Sequence, residues 1–244
     1  MPVCKQLVSR RNVISAHRGQ IVHERAVKKL EDFRADVRRW GLLRSLFGRV
    51  ISRLQRFAGL NIHWILVRDL VRLPAEPHVP DGITVQLVQA EELLKAARDP
   101  ELDMSSEFVH SALARGDIAF GAFDGDSMVC YSWRAFASIP HVDGAWVKFD
   151  PPYHYGYKAF TRSSHRGRRI LVAVALFADS YLLERGRVAQ VAFTEIHNFA
   201  SLAAQKVARS RRIGLAGYMK WFGFFIPFRT PAVKRIGFAF ERGR

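Results

Sequence analysis

Cysteine is scarce in this sequence: two in 244 residues, Cys4 and Cys130, with no metal-ligand spacing between them or to any histidine cluster. That argues against a disulfide framework and against a zinc site. Cys130, inside the apolar run Met128–Tyr131, reads as a small buried hydrophobe, and a reduced intracellular setting is expected. No apolar run reaches the roughly 18 residues a membrane span requires. The N-terminus, with Arg10 and Arg11 followed by a polar mixture, lacks the apolar middle of a secretory signal. The expected location is the cytoplasm, with peripheral contact to the inner membrane face left open. There is no Gly-x-Ser-x-Gly elbow and no phosphate loop ending in Gly-Lys-Ser/Thr. Nine histidines, at 17, 23, 63, 78, 110, 141, 154, 165 and 197, include no pair at helical ligand spacing beside a carboxylate, so no metal is expected. Asp124-Gly125-Asp126 opens like a calcium loop, but no glutamate closes it, and it reads as a hairpin turn.

Acid is lacking in two further places. Residues 1–60 hold 14 Lys/Arg against 4 Asp/Glu, whereas the other 184 hold 24 against 18. Between Glu195 and Glu241 there are eight Lys/Arg and no acid. A field of this sign concentrates polyanions: anionic lipid, a phosphorylated cofactor, an acidic carrier protein or nucleic acid. No helix-turn-helix or zinc-finger pattern accompanies the charge, so nucleic acid is not expected. An apolar fraction of 49% with 12% aromatics supplies enough material for a core.

Along the chain, residues 1–22 show no period and read as a loose basic N-terminus. From about Glu24 to Ala58, Leu43, Phe47, Val50, Ile51, Leu54 and Phe57 recur at helical spacing, with Arg44, Arg49, Arg53 and Arg56 between them. Gly41 and Gly48 weaken that helix into two pieces and Gly59 stops it. The pattern fits a helix packed on the main domain with a solvated basic face. It also fits a helix lying in the plane of an anionic membrane. Residues 62–70 read as a strand, and Pro74, Pro77, Pro80 and Asp81-Gly82 as a linker and turn. The predicted organisation is therefore 1–22, an extension over 23–80 and a catalytic body over 81–244. Within that body we expect strand Thr84–Val88, helices near Ala90–Arg98 and Glu101–Ala114, and a hairpin of Ile118–Phe123 with Met128–Phe136. A loop follows over Pro140–His154. Then come strand Tyr155–Thr161, helix Ile170–Leu183, strand Val188–Thr194, a helix from Asn198, and a tail of strand-like runs with basic turns.

The unit of strand, basic turn, helix, strand and helix from Tyr155 to Arg209 carries the chemical signal. Its turn, Ser164-His165-Arg166-Gly167-Arg168-Arg169, places four candidate cations at a helix N-terminus, where free N–H groups and the dipole favour phosphate. Tyr155–Ala175 resembles the core motif of the GCN5-related N-acetyltransferases (GNAT). Ala159-Phe160-Thr161 is similar to the end of the motif's strand, Arg166 to its first turn position, and Gly167-Arg168 to the Arg-Gly-Arg opening common there. Asn198-Phe199-Ala200-Ser201 resembles the Asn-x-x-Ser that opens the following helix. The resemblance covers residues 83–240 in element order and Tyr155–Leu215 in motifs. Three positions depart from it. Arg169 and Leu171 stand where the family has Gly and Gly/Ala, and Gln205 where many members carry a tyrosine that protonates the leaving thiolate.

The resemblance implies a three-layer α-β-α acyl-CoA N-acyltransferase-like fold of the α+β class. Its central sheet would be mixed and mostly antiparallel, preceded by the basic helical extension. It implies an N-acyltransferase that moves an acetyl or longer acyl group from acyl-CoA to a small-molecule or peptide amine by direct attack. The donor would be held by Phe160, Thr161, Arg166, Gly167, Arg168, Arg169, Ile170, Asn198 and Ser201, in a splay between the two strands. An acidic acyl carrier protein is the alternative donor, with the apolar segment Trp221–Phe228 lining an acyl tunnel. A non-catalytic module that binds anionic membrane or nucleic acid through its basic N-terminal helix is a further alternative. Glu195 is the first candidate base, then Glu107, His154 and Tyr157, with Tyr218 as a substitute for the missing acid.

Overall fold

A computed structural model of the chain describes residues 31–70 and 79–243. Two compact units divide it, Met1–Arg56 and Phe57–Arg244. In the first, residues 31–40 are helical (α1) and Gly41 breaks the helix with a φ of +87° before α2, Leu42–Ala58. Glycine adopts this angle without a side-chain penalty. Gly48 is tolerated inside α2, and Gly59, at φ +58°, ends it as the sequence predicts. Leu43 and Phe57 are more than four-fifths exposed and Ser45 alone is buried among the residues of α2.

The second unit is an eight-stranded sheet with a smaller three-stranded one. Its elements are β1 (Leu60–Asp69), β2 (Ile83–Val88), α3 (Ala90–Ala96), α4 (Ser106–Ala114), β3 (Ile118–Asp124), β4 (Ser127–Ala135), β5 (Ile139–Pro140), β6 (Ala145–Lys148), β7 (Tyr153–Thr161), α5 (Ile170–Leu183), β8 (Ala189–Glu195), α6 (Phe199–Val207), β9 (Arg211–Trp221), β10 (Phe224–Arg229), α7 (Pro231–Arg235) and β11 (Ala239–Arg242). The large sheet runs β10-β9-β1-β8-β7-β4-β3-β2, and every pair is antiparallel except β7 with β8. From β2 onward the element order is the one the motif resemblance implies. Two features differ from the sequence reading. Strand β1, assigned to the extension, lies inside the sheet between β8 and β9, so the proline-rich linker separates it in sequence and not in the fold. The expected loop over 140–154 contributes β5 and β6, which pair with the C-terminal β11. These short strands have too few residues to show a period of their own.

Helices α3 and α4 set Leu93, Ala96, Val109 and Ala112 against Phe123, Met128, Tyr131 and Trp133 on one face of the sheet. On the opposite face α5 sets Ile170, Val174, Ala178 and Leu182 against Phe120, Ala122, Val129 and Cys130. The small sheet and α7 cover β1, β8 and β9 through Phe238, Phe240, Val147 and Val233. The layers are α-β-α, as expected.

A buried polar stripe crosses the sheet beneath α5. In register order it runs from Arg68 on β1 through Gln190 on β8 to His154 on β7, with Arg134 beyond on β4. Asp179 of α5, fully buried, receives both terminal nitrogens of Arg68. Arg134 donates to Ser132 Oγ and to the Trp133 carbonyl at 2.5 and 2.9 Å. Burial, then the neighbouring Arg68, push its pKa down to about 10, against the pull of Asp179, so it stays charged at neutral pH. His154 is held well below the usual histidine range by burial and by Arg134, Arg68 and Arg187, so it is neutral. Asp179 is thus the counter-charge for two buried guanidinium groups. Removing one partner of such a set strands the other. Asp179→Asn should destabilise the protein by about 3–5 kcal/mol in urea or thermal unfolding, and the pair change Arg68→Met with Asp179→Leu should recover part of that loss.

Candidate active site

Strands β7 and β8 pair at only three positions, Tyr153↔Ala189, His154↔Gln190 and Tyr155↔Val191. Both then continue, to Thr161 and Glu195, without a shared ladder. Lys158 forces the divergence. It is the extra residue between Tyr157, opposite Trp133, and Ala159, opposite Ser132, and it takes a φ of +41°. A bulge of this kind bends its strand and disrupts the local ladder. From Gly156 to Thr161, β7 keeps only its β4 side paired, leaving the edge that faces β8 open as a slot with main-chain donors and acceptors.

The basic turn closes the mouth of the slot. Thr161 ends β7, and Arg166 Nε donates back to its carbonyl at 3.1 Å. Arg162 is committed elsewhere, to Asp99, Glu101 and the Met128 carbonyl, and His165 pairs with Asp124 at 3.2 Å. Of the predicted cations, Arg168 and Arg169 are exposed with no hydrogen bond or ion pair among the described residues. Gly167 has a φ of +79°, and a β-carbon added there would meet no atom within 4 Å, so its conformation and not crowding calls for glycine. Arg169 is the N-cap of α5 at φ +61° and supplies no side-chain cap to the first N–H groups. The helix start therefore presents uncapped donors and two unpaired guanidinium groups to the same space. Ile170 is buried in the core below, so it faces this space through its main chain. Leu171 is two-fifths exposed.

The other predicted donor residues divide by role. Phe160 is half-buried and stacks on Tyr131, while Thr161 shares a hydrogen bond with Cys130 Sγ. Asn198 caps α6, its Oδ1 accepting from the Ser201 N–H at 3.0 Å. The Ser201 hydroxyl lies 3.2 Å from that of Thr194, joining α6 to β8. Gln205 accepts from Ser210 beyond the end of α6 and is not directed to a leaving group.

Among the candidate bases the structure separates one from the rest. His154 belongs to the buried stripe at the closed end of the slot. The Tyr157 hydroxyl donates to Asp117 at 2.6 Å, and burial with that bond raises its pKa far above the usual phenol range, so it is no base. Glu107 is exposed in the first turn of α4. Tyr218 is fully buried on β9, beyond β1, against Phe225 and Phe240; packing rather than proximity to a thioester fixes it, which corrects the expectation that it replaces the missing acid. Glu195 ends β8 beside the slot. His197 Nε2 is 3.4 Å from Glu195 Oε2, and His63 is its cross-strand partner.

That last contact exposes a group the sequence reading missed. His63, His141 and His197, far apart in sequence, converge with Glu195 at the open end of β8. His63 is 3% exposed and lies against Phe193 and Phe240, with the His141 ring 6.2 Å away. Burial first, then His141 and His197, lower its pKa to about 3. The Nδ1 atoms of His63 and His197 have no hydrogen-bond partner among the described residues. No cluster among those residues has the arrangement to hold a metal ion. Perturbed, under-bonded titratable groups beside a cleft mark a site where protons are handled.

Element order and splay are those that the resemblance implies. The arrangement resembles the GNAT fold. No protein-family model matches the chain, and no curated protein matches it. Among solved structures it is similar to a tandem GNAT protein from the clavulanic acid biosynthesis pathway, at 15% identity and a TM-score of 0.45, over 75% of this chain and 58% of that one. It is similar also to a GCN5-related N-acetyltransferase from Sphaerobacter thermophilus, at 14% and 0.45, over 74% and 55%. A protein from Salmonella typhimurium solved with its cofactor acetyl-CoA matches at 11% and 0.37, over 66% and 94%. The chain thus spans a little over half the length of the first two. At these identities the likeness is one of fold.

His63 links the site to stability. Its pKa is about 6.5 when unfolded and about 3 when folded, so between these values the unfolded state binds the extra proton. The stabilisation is complete above pH 6.5 and declines as pH falls toward 3. At about pH 4.5 the loss from this one group should be about 2–3 kcal/mol relative to neutral pH. His63→Gln should flatten the fall in urea midpoint between the two pH values, leaving the share due to His154.

Proposed function

We propose that the chain is an N-acyltransferase that takes its acyl group from a pantetheine thioester, acyl-CoA in the first instance, and passes it to an amine. The observation that carries this reading is the slot between β7 and β8, whose mouth holds Arg168, Arg169 and the uncapped start of α5. A linear donor with a pyrophosphate at one end and a thioester at the other fits that combination: anion-binding donors at the mouth, and an open main-chain edge within.

In this reading the unpaired N–H groups of β7 beyond Tyr155 receive the oxygen that becomes negative as the amine attacks. Glu195 takes the proton released as the C–N bond forms, directly or through His197. His63, neutral and buried behind them, keeps the pocket dry without adding positive charge. The C–S bond breaks as the tetrahedral centre collapses. No side-chain acid stands at Gln205, and a thiol with an ordinary pKa of about 8.5 can leave as thiolate and be protonated by solvent. Arg169 adds charge where the family's glycine adds none, so it serves the donor's phosphates and is not neutral in the site.

Titration calorimetry with acetyl-CoA tests the donor half, with an acyl carrier protein as the competing donor. Binding of neither would refute the reading. Arg169→Gly should raise stability by about 1 kcal/mol, by relieving the left-handed backbone, and weaken donor binding about tenfold through loss of a charge-assisted contact. Opposite signs in the two measurements separate a phosphate contact from a folding effect. Glu195→Gln should leave donor affinity intact and lower kcat by about 10²-fold or more, removing the acid limb of the pH–rate profile.

A further inference from the structure

The strongest feature outside the slot is the β9–β10 hairpin at the edge of the sheet. Its two-residue turn is Phe222-Gly223, with φ of +46° and +80°. Turns with both angles positive favour Asn-Gly, because a bulky side chain is strained there. Phe222 carries that strain while 84% exposed, its ring lying against the adjacent and also exposed Trp221, 5.1 Å away between centroids, so burial does not offset it. Trp221 and Phe224, a cross-strand pair, are 57% and 69% exposed, and Ile226 and Phe228 continue the same face of β10. This segment projects outward and lines no enclosed acyl tunnel, contrary to the sequence reading.

Beside the turn of the hairpin lies a cavity of about 320 Å³, lined by Lys220, Arg242, Phe224 and the glycines 144, 223 and 243. Arg242 is exposed, and its side chain makes no hydrogen bond or ion pair among the described residues. The 45 residues between Glu195 and Glu241 contain no acid. Aromatic side chains at a projecting tip, with two cations in a hollow one side chain behind them, match the two layers of a membrane surface: acyl boundary outside, phosphate headgroup inward. A second copy pairing edge to edge fits worse, because Pro227 in the middle of β10 lacks the N–H that a ladder needs.

We infer that the β9–β10 hairpin docks the protein on anionic membrane, Trp221, Phe222 and Phe224 entering the interface while Lys220 and Arg242 hold a lipid phosphate in the cavity. This surface belongs to the second unit and does not depend on the donor slot. The test is co-sedimentation of the full chain with phosphatidylcholine vesicles, with and without phosphatidylglycerol. Wild type should sediment with the anionic vesicles only. Trp221→Ser with Phe222→Gly should weaken this binding at least tenfold, with unchanged or raised thermal stability because the strained turn is relieved. Lys220→Gln and Arg242→Gln should cost roughly fivefold each. Unchanged binding of the Trp221/Phe222 variant overturns the proposal and leaves the N-terminal segment as the lipid contact. Equal binding of wild type to neutral vesicles overturns the phosphate site. A hairpin variant that shifts the mass in light scattering, or the preferred acyl length, while binding vesicles as wild type does, reassigns the surface to self-association or to substrate.

Discussion

The short parallel pairing of β7 with β8 is the constraint on which the rest of the molecule depends. Three rungs hold the strands together, and everything proposed for the site requires that there be no fourth. The closed end is fixed from below. Gln190 packs over Gly156, where an added β-carbon would lie 2.6 Å from its amide carbon, so a larger residue there would have to displace the end of the Gln190 side chain. His154, Gln190 and Arg68 then continue as one buried polar row that α5 seals with Asp179. Buried ionic groups of this kind contribute little net stability but tolerate few alternative arrangements. The open end is set by the Lys158 bulge, held from outside by its ammonium over the Phe108 ring and near Asp103. A hydrophobic row would permit the strands to slip or extend; a charged row beneath and a bulge above do not.

The same division sorts the histidines by environment. His154 and His63 are both buried and both neutral, yet the groups around them differ. Three guanidinium groups surround His154, and nothing there could use a proton. His63 sits among aromatic rings, two further histidines and the Glu195–His197 pair, at the edge from which an amine would approach. The Glu195 carboxylate is 39% exposed while His63 behind it is buried, so the pair stands at the boundary between solvent and the aromatic core. The orphaned ring nitrogens are consistent with a pocket that completes its hydrogen bonds when occupied.

Much of the fold was legible in the sequence because it is local. The Gly41 break, the Asp124–Asp126 hairpin, the basic turn and the helix that follows are each decided by a few adjacent residues. What was not legible is long-range. Nothing in Leu60–Asp69 tells that it inserts between β8 and β9, since an apolar strand buried on both faces carries no address. The proline-rich linker after it suggested a boundary, but proline breaks a chain's regularity without deciding where its flanks pack. The basic turn and the helix start from Arg166 to Ile170 were readable, because they are adjacent in sequence. The histidine cluster was not, because His63, His141 and His197 come from β1, from the segment between β5 and β6, and from beyond β8. Asn198 and Ser201, read from the motif as donor-binding, cap α6 and join it to β8 through their side chains.

Five residues other than glycine take a positive φ, and the reason differs for each. Asp103 tolerates the left-handed region through its short polar side chain, Arg209 follows the end of α6, and Lys158 forms the bulge. Arg169 and Phe222 have no such account. Each costs on the order of 1 kcal/mol that glycine would not, and each is exposed; Phe222 lies against the neighbouring Trp221 ring, itself exposed, and neither position is buried in the core. Chains retain local conflict of this kind where something outside the fold depends on the side chain. The two positions also differ in chemistry: a guanidinium at the mouth of a slot shaped for a phosphorylated donor, and a phenyl ring at the tip of an apolar hairpin. Strain retained at an exposed side chain is informative because burial in the core cannot explain it, and the donor slot and the membrane contact proposed above each place such a side chain at their edge.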